Sequence, residues 1–159
     1  MRVLIISDTH RKNDNLLKIL EEIRKPDMII HCGDVEGSEY VISNCADCPV
    51  EMVAGNNDFF SDLPREREFV IGNYRIWLTH GHTYYVSMGH EMIKREAVAR
   101  GVDVVMYGHT HRPVLETQGE VIVINPGSLS YPRQEGRKPS YVLMDIDEKG
   151  QAEFSLHYI

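Results

Sequence analysis

Two His-x-His pairs and a scatter of Asp and Asn side chains, each following a short apolar run, carry the chemical signal of this 159-residue chain. Val3-Leu4-Ile5-Ile6-Ser7 leads into Asp8-Thr9-His10, and residues 28–33 lead into Asp34. Residues 50–55 lead into Asn56, residues 75–79 into His80-Gly81-His82, and residues 104–108 into His109-Thr110-His111. Apolar runs of this length read as buried strands. The recurring event is therefore a metal-type side chain at the carboxyl end of a strand, where open α/β sheets hold their ligands. One such ending is chance; five imply a polynuclear metal centre assembled from distant loops.

The donor mix is carboxylate, amide oxygen and imidazole, with no thiolate required. It suits Mn²⁺ best, with Fe, Zn²⁺, Ni²⁺ and Co²⁺ as alternatives, and Ca²⁺ poorly. More donors are present than one tetrahedral site can use, so two divalent ions are the natural inference. In Asp8-x-His10 the two donors stand at i and i+2, which on extended backbone point to one side and reach one ion. His109-x-His111 repeats the spacing with two imidazoles, which share an ion or serve neighbouring ones. Gly33, Gly55, Gly81 and Gly108 each adjoin a candidate ligand, and glycine lets backbone crowd a metal or a phosphate.

The elements that position these side chains follow from periodicity. Residues 2–7, 28–31 and 50–53 read as strands; residues 13–25 form a helical stripe of Leu16, Leu17, Ile19, Leu20 and Ile23, with Asn13 or Asp14 as cap. A weaker helix fits 38–46. Strands alternating with helices indicate parallel βαβ units. Residues 68–71 and 75–79 flank a hairpin turn, a helix fits 89–100, and 103–107 is a further strand. The last third reads as antiparallel, with pairs 114–116/121–124 and 141–146/152–158. The expectation is a single domain over residues 1–159, with two mixed sheets packed together and helices outside.

Composition narrows the function. A net charge of −7 argues against a basic groove for long nucleic acid. It does not exclude a small phosphate ester, because bound cations reverse the local field. No stretch reaches the length needed to span a membrane, and the opening residues are too short for a signal peptide, so a cytoplasmic protein is expected. The three cysteines do not suggest a disulfide framework, and Cys45-x-x-Cys48 lacks the partners of a zinc or redox site.

Asp8-x-His10, Gly33-Asp34, Gly55-Asn56-Asn57-Asp58, His80-Gly81-His82 and Gly108-His109-Thr110-His111 together resemble the ordered motifs of calcineurin-like metallophosphoesterases. The short length and Asn125-Pro126-Gly127-Ser128 resemble the small prokaryotic phosphodiesterase branch. The resemblance implies a four-layer α/β/β/α sandwich with a dimetal site. In it Asp8, His10, Asp34 and His111 hold one ion, and Asn56, His80 and His109 complete the other, with Asp34 bridging. It implies a hydrolase in which a hydroxide shared by two ions attacks phosphorus, the ions lowering the pKa of the bound water toward about 7. No activated-serine motif competes with that mechanism. Subunit association is plausible on the same resemblance.

One residue departs from the wider family. Where many members carry a histidine acid after the ligand Asn, this chain has Asn57, an amide that cannot protonate a leaving group near neutral pH. Asn57 can still donate a hydrogen bond to a phosphoryl oxygen. His82 reads as a hydrogen bonder to a ligand or substrate, and Arg133 as a possible phosphate clamp beside the turn at 125–128. His31, inside an apolar strand, reads as a core residue; Asp58 as one that orients a neighbour. Phe59-Phe60 and Tyr84-Tyr85 line a pocket or pack. The leading function is a metal-dependent phosphodiesterase of small organic phosphates. A phosphomonoesterase shares the same residues, and a non-catalytic scaffold, like the retromer-subunit relatives that also lack the acid histidine, shares the fold.

Overall fold

A computed structural model describes residues 1–159. The chain opens with β1 (Arg2–Ile6), α1 (Asp14–Glu22), β2 (Met28–His31), α2 (Glu39–Ala46) and β3 (Val50–Met52). It continues through the hairpin β4 (Glu66–Ile71) and β5 (Tyr74–Thr79) to α3 (Glu91–Arg100) and β6 (Val104–Met106). It closes with β7 (Val114–Glu116), β8 (Ile122–Asn125), β9 (Ser140–Ile146) and β10 (Ala152–Tyr158). Two five-stranded sheets result, ordered β10-β9-β1-β2-β3 and β4-β5-β6-β8-β7. In the first, β1, β2 and β3 are mutually parallel; in the second, β5, β6 and β8 are.

Alternation within the strands explains the layering. Val3 and Ile5 face the second sheet, meeting Ile76, Leu78, Val104, Met106 and Ile124 in a core between the sheets. Leu4 and Ile6 face outward onto Leu16 and Ile19 of α1 and Ile42 of α2. Trp77, Val105 and Val123 cover the outer face of the second sheet beneath Ile93 and Ala97 of α3. Three apolar layers separate helices, sheet, sheet and helix, which is the expected α/β/β/α sandwich. Both faces of the central strands are buried, so their sequences are apolar throughout rather than alternating with polar residues. Truncating Ile76 or Leu78, both fully buried, to alanine is expected to cost about 2–5 kcal/mol.

Several boundaries differ from the periodicity reading. The helix expected over 13–25 stops at Glu22, because Ile23 is already extended (φ −93°, ψ 155°) and Pro26 follows. Asn13 occupies the N-cap position without making a side-chain cap bond. The helix expected from 89 begins at Glu91; upstream, Tyr85 at φ 53° and Gly89 at φ 131° flank a 3₁₀ turn. The last third is not wholly antiparallel, since β8 pairs antiparallel with β7 but parallel with β6. No helix is long and apolar enough to cross a membrane.

Candidate metal centre

The carboxyl ends of β1, β2, β3, β5 and β6 lie along one edge of the sandwich, and each releases a loop carrying a donor. Donor atoms of Asp8, His10, Asp34 and His111 lie within 4.8 Å of one another. His111 Nε2 is 3.1 Å from Asp8 Oδ1, and His10 Nε2 is 3.8 Å from both Asp8 Oδ1 and Asp34 Oδ2. On the other side of Asp34, His80 Nε2 is 3.5 Å from its Oδ2. Asn56 Oδ1 lies 3.2 Å from His80 Nε2 and 2.8 Å from His109 Nδ1. The two imidazoles of His109-x-His111 thus join different clusters, and Asp34 stands between them.

The expected geometry of the Asp-x-His pair is corrected. Asp8 (φ 54°) and His10 (φ 44°) are not extended but left-handed, as are Asp34 (59°), His109 (67°) and His111 (56°). Left-handed backbone is costly for residues other than glycine and concentrates where function over-determines the chain. These tight turns, rather than strand alternation, aim the donors.

Hydrogen bonds fix the tautomers. His111 Nδ1 donates to the Tyr131 carbonyl at 2.8 Å, His80 Nδ1 to the Cys32 carbonyl at 2.7 Å, and His10 Nδ1 to Glu36 Oε1 at 2.6 Å. Carbonyl and carboxylate oxygens only accept, so the Nδ1 atoms carry protons, and in the neutral imidazoles the Nε2 lone pairs face inward. His10 Nε2 and His111 Nε2 consequently confront each other at 3.2 Å. Asp8 Oδ1 is buried with no hydrogen-bond partner at all. Acceptors converging on acceptors, around an orphaned carboxylate oxygen, are what a bound cation reconciles; the donor set fits two divalent ions.

The field is that of a cation site. Burial alone would raise the Asp8 carboxyl, yet His111, His80 and Ser7 hold it below the ordinary carboxylate range. Burial likewise opposes ionisation of Asp34, and His80 with the Asn57 amides overrides it, driving its pKa down. His80 is buried too, but the Asp34 and Asp8 carboxylates raise its pKa above the usual imidazole value. Burial lowers His109 and His82, with the neighbouring His80 adding to the effect.

Other nominated residues fall in definite places. Asn57 donates from its backbone to Asp34 Oδ1 at 2.8 Å and from its side chain to Oδ2 at 2.6 Å. The ring of His82 lies 5.4 Å from that of His80 and 6.1 Å from that of His109, and its Nδ1 is buried without a partner. Arg133 is tied to the site only through its backbone, which donates to the His111 carbonyl; its exposed side chain lines a neighbouring cavity. Asp58 accepts backbone N–H bonds from Asp34, Val35, Glu36 and Gly55, orienting loops as expected. His31 is fully buried against Thr9. Phe59 and Phe60 are exposed, whereas Tyr84 packs edge-on against Trp77 and donates to Glu66. Cys45 and Cys48 are free thiols.

Residues 125–128 do more than turn the chain. Asn125 Nδ2 donates to the Gly108 carbonyl and to Thr110 Oγ1, and Ser128 Oγ donates to the Asp8 carbonyl. Ser7 Oγ donates to Asp8 Oδ2 at 2.6 Å. Glu36, Asn125, Ser128 and Ser7 thus brace the ligands, a role the sequence reading did not assign. Their only signal was adjacency to a ligand motif, or turn chemistry that conceals a second use.

The calcineurin-like phosphoesterase superfamily domain model matches residues 1–149. A probable metallophosphoesterase of Bacillus subtilis is 34% identical over 148 residues, spanning 92% of this chain and 85% of the relative. A phosphodiesterase of Methanocaldococcus jannaschii is 34% identical over 146 residues, spanning 80% and 83%. The crystal structure of a Vps29 single mutant from Entamoeba histolytica superposes with a TM-score of 0.79, covering 100% of this chain and 99% of its own at 24% identity, a likeness of fold. A family match along nearly the whole chain and a cage of Asp, Asn and His donors at the strand ends agree: this chain belongs to the calcineurin-like phosphoesterase superfamily.

Proposed function

We propose that the chain is a divalent-metal-dependent phosphodiesterase acting on small organic phosphate esters, with Mn²⁺ as the favoured metal. The observation that carries the reading is the position of Asp34, whose Oδ2 lies 3.8 Å from His10 Nε2 on one side and 3.5 Å from His80 Nε2 on the other. One carboxylate shared by two donor clusters is the arrangement that bridges two ions. Asp8, His10, Asp34 and His111 would hold the first, and Asp34, Asn56, His80 and His109 the second.

Two divalent ions, when bound, supply Lewis acidity toward the phosphoryl oxygens and activate water as the nucleophile. The chain's own residues supply the geometry. Glu36 and the Cys32 and Tyr131 carbonyls lock three imidazoles with Nε2 inward. Asp58 holds the backbone of the Asp34 and Gly55 loops. Asn57 clamps both oxygens of Asp34, and its second amide hydrogen is left to donate to a phosphoryl oxygen. Of the donor side chains only Asp8 and Asp34 are carboxylates, so with two divalent ions bound the ligand set would keep a net positive charge toward a phosphate diester.

The scaffold reading rests on likeness of fold alone, whereas the seven donor side chains favour turnover. The deciding experiment is hydrolysis of mono-, di- and cyclic phosphates after chelation and reconstitution with single metals. Metal-dependent diester hydrolysis, lost in Asp34→Asn with an unchanged thermal melt, supports the reading. Rates no higher than the metal-only blank refute it.

A further inference from the structure

Beside the candidate centre lies a cavity of about 500 Å³ whose lining includes Val86, Met88, Tyr107, Thr110, Arg112 and Arg133. Thr110 stands between two candidate ligands, so cavity and centre share a wall. Arg112 Nε donates to the Arg133 carbonyl at 3.3 Å, and neither guanidinium forms an ion pair. That is notable in a chain with 24 acidic and 17 basic residues, where the nearby Lys94 and His90 are both engaged by Glu116. The backbones of the two arginines are tethered to the same loop. Arg112 N donates to Thr110 Oγ1, and Arg133 N to the His111 carbonyl. Their positions relative to the centre are therefore set by the loop that presents His109 and His111.

We infer that this cavity is a subsite for a second, non-scissile phosphate, so that the preferred substrates are small nucleotide-like diesters carrying an additional terminal phosphate. The inference rests on the diesterase reading above and narrows its substrate class. Guanidinium groups bind phosphate through parallel N–H donors, and two that line one cavity without a carboxylate partner suit a dianionic terminal phosphate. The apolar wall of Val86, Met88 and Tyr107 suits the organic part of such a ligand. Its volume is in the range of small-molecule sites.

Two measurements test this on the full chain. The first is the ratio of kcat/KM for a 5′-phosphorylated dinucleotide to that for the same dinucleotide without the 5′-phosphate. The reconstituted wild type is expected to favour the phosphorylated form about tenfold or more, and Arg112→Gln with Arg133→Gln to bring the ratio within about twofold of one. The second is calorimetric binding of 5′-AMP to the chelated protein, where the carboxylates of the centre repel phosphate and the cavity arginines supply the attraction. The double variant is expected to bind about tenfold more weakly, and Lys at both positions to recover part of the loss. A wild type indifferent to the 5′-phosphate, or AMP affinity unchanged in the double variant, overturns the inference. Arginine-dependent AMP binding in a protein that hydrolyses no diester supports the phosphate pocket and removes the diesterase reading instead.

Discussion

Asn57 grips both carboxylate oxygens of Asp34, backbone N–H to Oδ1 at 2.8 Å and side-chain amide to Oδ2 at 2.6 Å. The residue that follows the candidate ligand Asn56 therefore serves as a clamp on the shared carboxylate and brings no acidic proton to a departing alkoxide. General-acid assistance is worth about 10²–10⁴ in rate, and its absence weighs most on poor leaving groups. Aryl diesters are expected to be hydrolysed at least about 100-fold faster than alkyl diesters, and Asn57→His to narrow that gap. Rates measured across leaving groups of graded pKa, with chemistry rate-limiting, check this; a flat dependence contradicts it.

Asp58 is 8% exposed and accepts four backbone N–H bonds, from Asp34, Val35, Glu36 and Gly55. Removing its carboxylate leaves donors without a partner in the two loops that carry Asp34 and Asn56. Asp58→Ala is expected to lose about 3 kcal/mol of stability and to weaken Mn²⁺ binding by about 10–100-fold, with Asp58→Asn intermediate. Urea denaturation of the chelated protein and metal titration read the two effects separately.

Gly55 and Gly108 are required by crowding. A Cβ on Gly55 would lie 2.1 Å from Asp34 Oδ1 and 2.5 Å from the Asp34 backbone nitrogen; one on Gly108 would lie 2.1 Å from Ser7 Oγ and 2.7 Å from Asp8 Oδ2. Backbone cannot yield as a flexible side chain can, so Gly55→Ala is expected to cost about 1–3 kcal/mol and to impair metal binding. Unaltered metal affinity in this variant would show that the Asp34 loop tolerates displacement.

His31 supplies a pH dependence. Complete burial drives its pKa down to about 4, against the opposing pull of Asp8 and Asp58. Gly33 N donates to its Nδ1, so Nε2 bears the proton and donates to Thr9 Oγ1. Between the unfolded value of 6.5 and about 4, the unfolded chain binds a proton that the folded chain refuses. Stability due to this residue is thus present above 6.5 and lost as pH falls through that window, by on the order of 3 kcal/mol in full. In chelated protein, the stability difference between wild type and His31→Gln should shift against the wild type as pH drops from 7 to 4.5. A pH-independent difference contradicts it.

Much of the fold was legible because its strands are short, apolar on both faces and punctuated by turn residues. Val3 to Ile6 could scarcely be anything but a central strand, and the donors after each run marked the sheet edge. The placement of β8 between β6 and β7 was not legible, since strand pairing is decided by tertiary packing rather than by the residues of Ile122–Asn125. Nor were the left-handed conformations of Asp8, His10 and Asp34: Asp and His enter that region more readily than most residues, but tertiary contacts decide which of them do. Glu36 and Arg112 lay beside motifs without belonging to any; only the folded chain shows what they reach. Asn125 was visible as turn chemistry, and its bonds to Gly108 and Thr110 arise from contacts across the sheet.

The central claim is that Asp34 joins two cation sites. The most direct measurement is the stoichiometry and magnetic coupling of Mn²⁺ in chelated, reconstituted protein, by calorimetry with electron paramagnetic resonance. Two ions per chain with an exchange-coupled spectrum, uncoupled or reduced in number by Asp34→Ala, is the expected result. A single ion, or two ions magnetically independent and indifferent to Asp34, would contradict it.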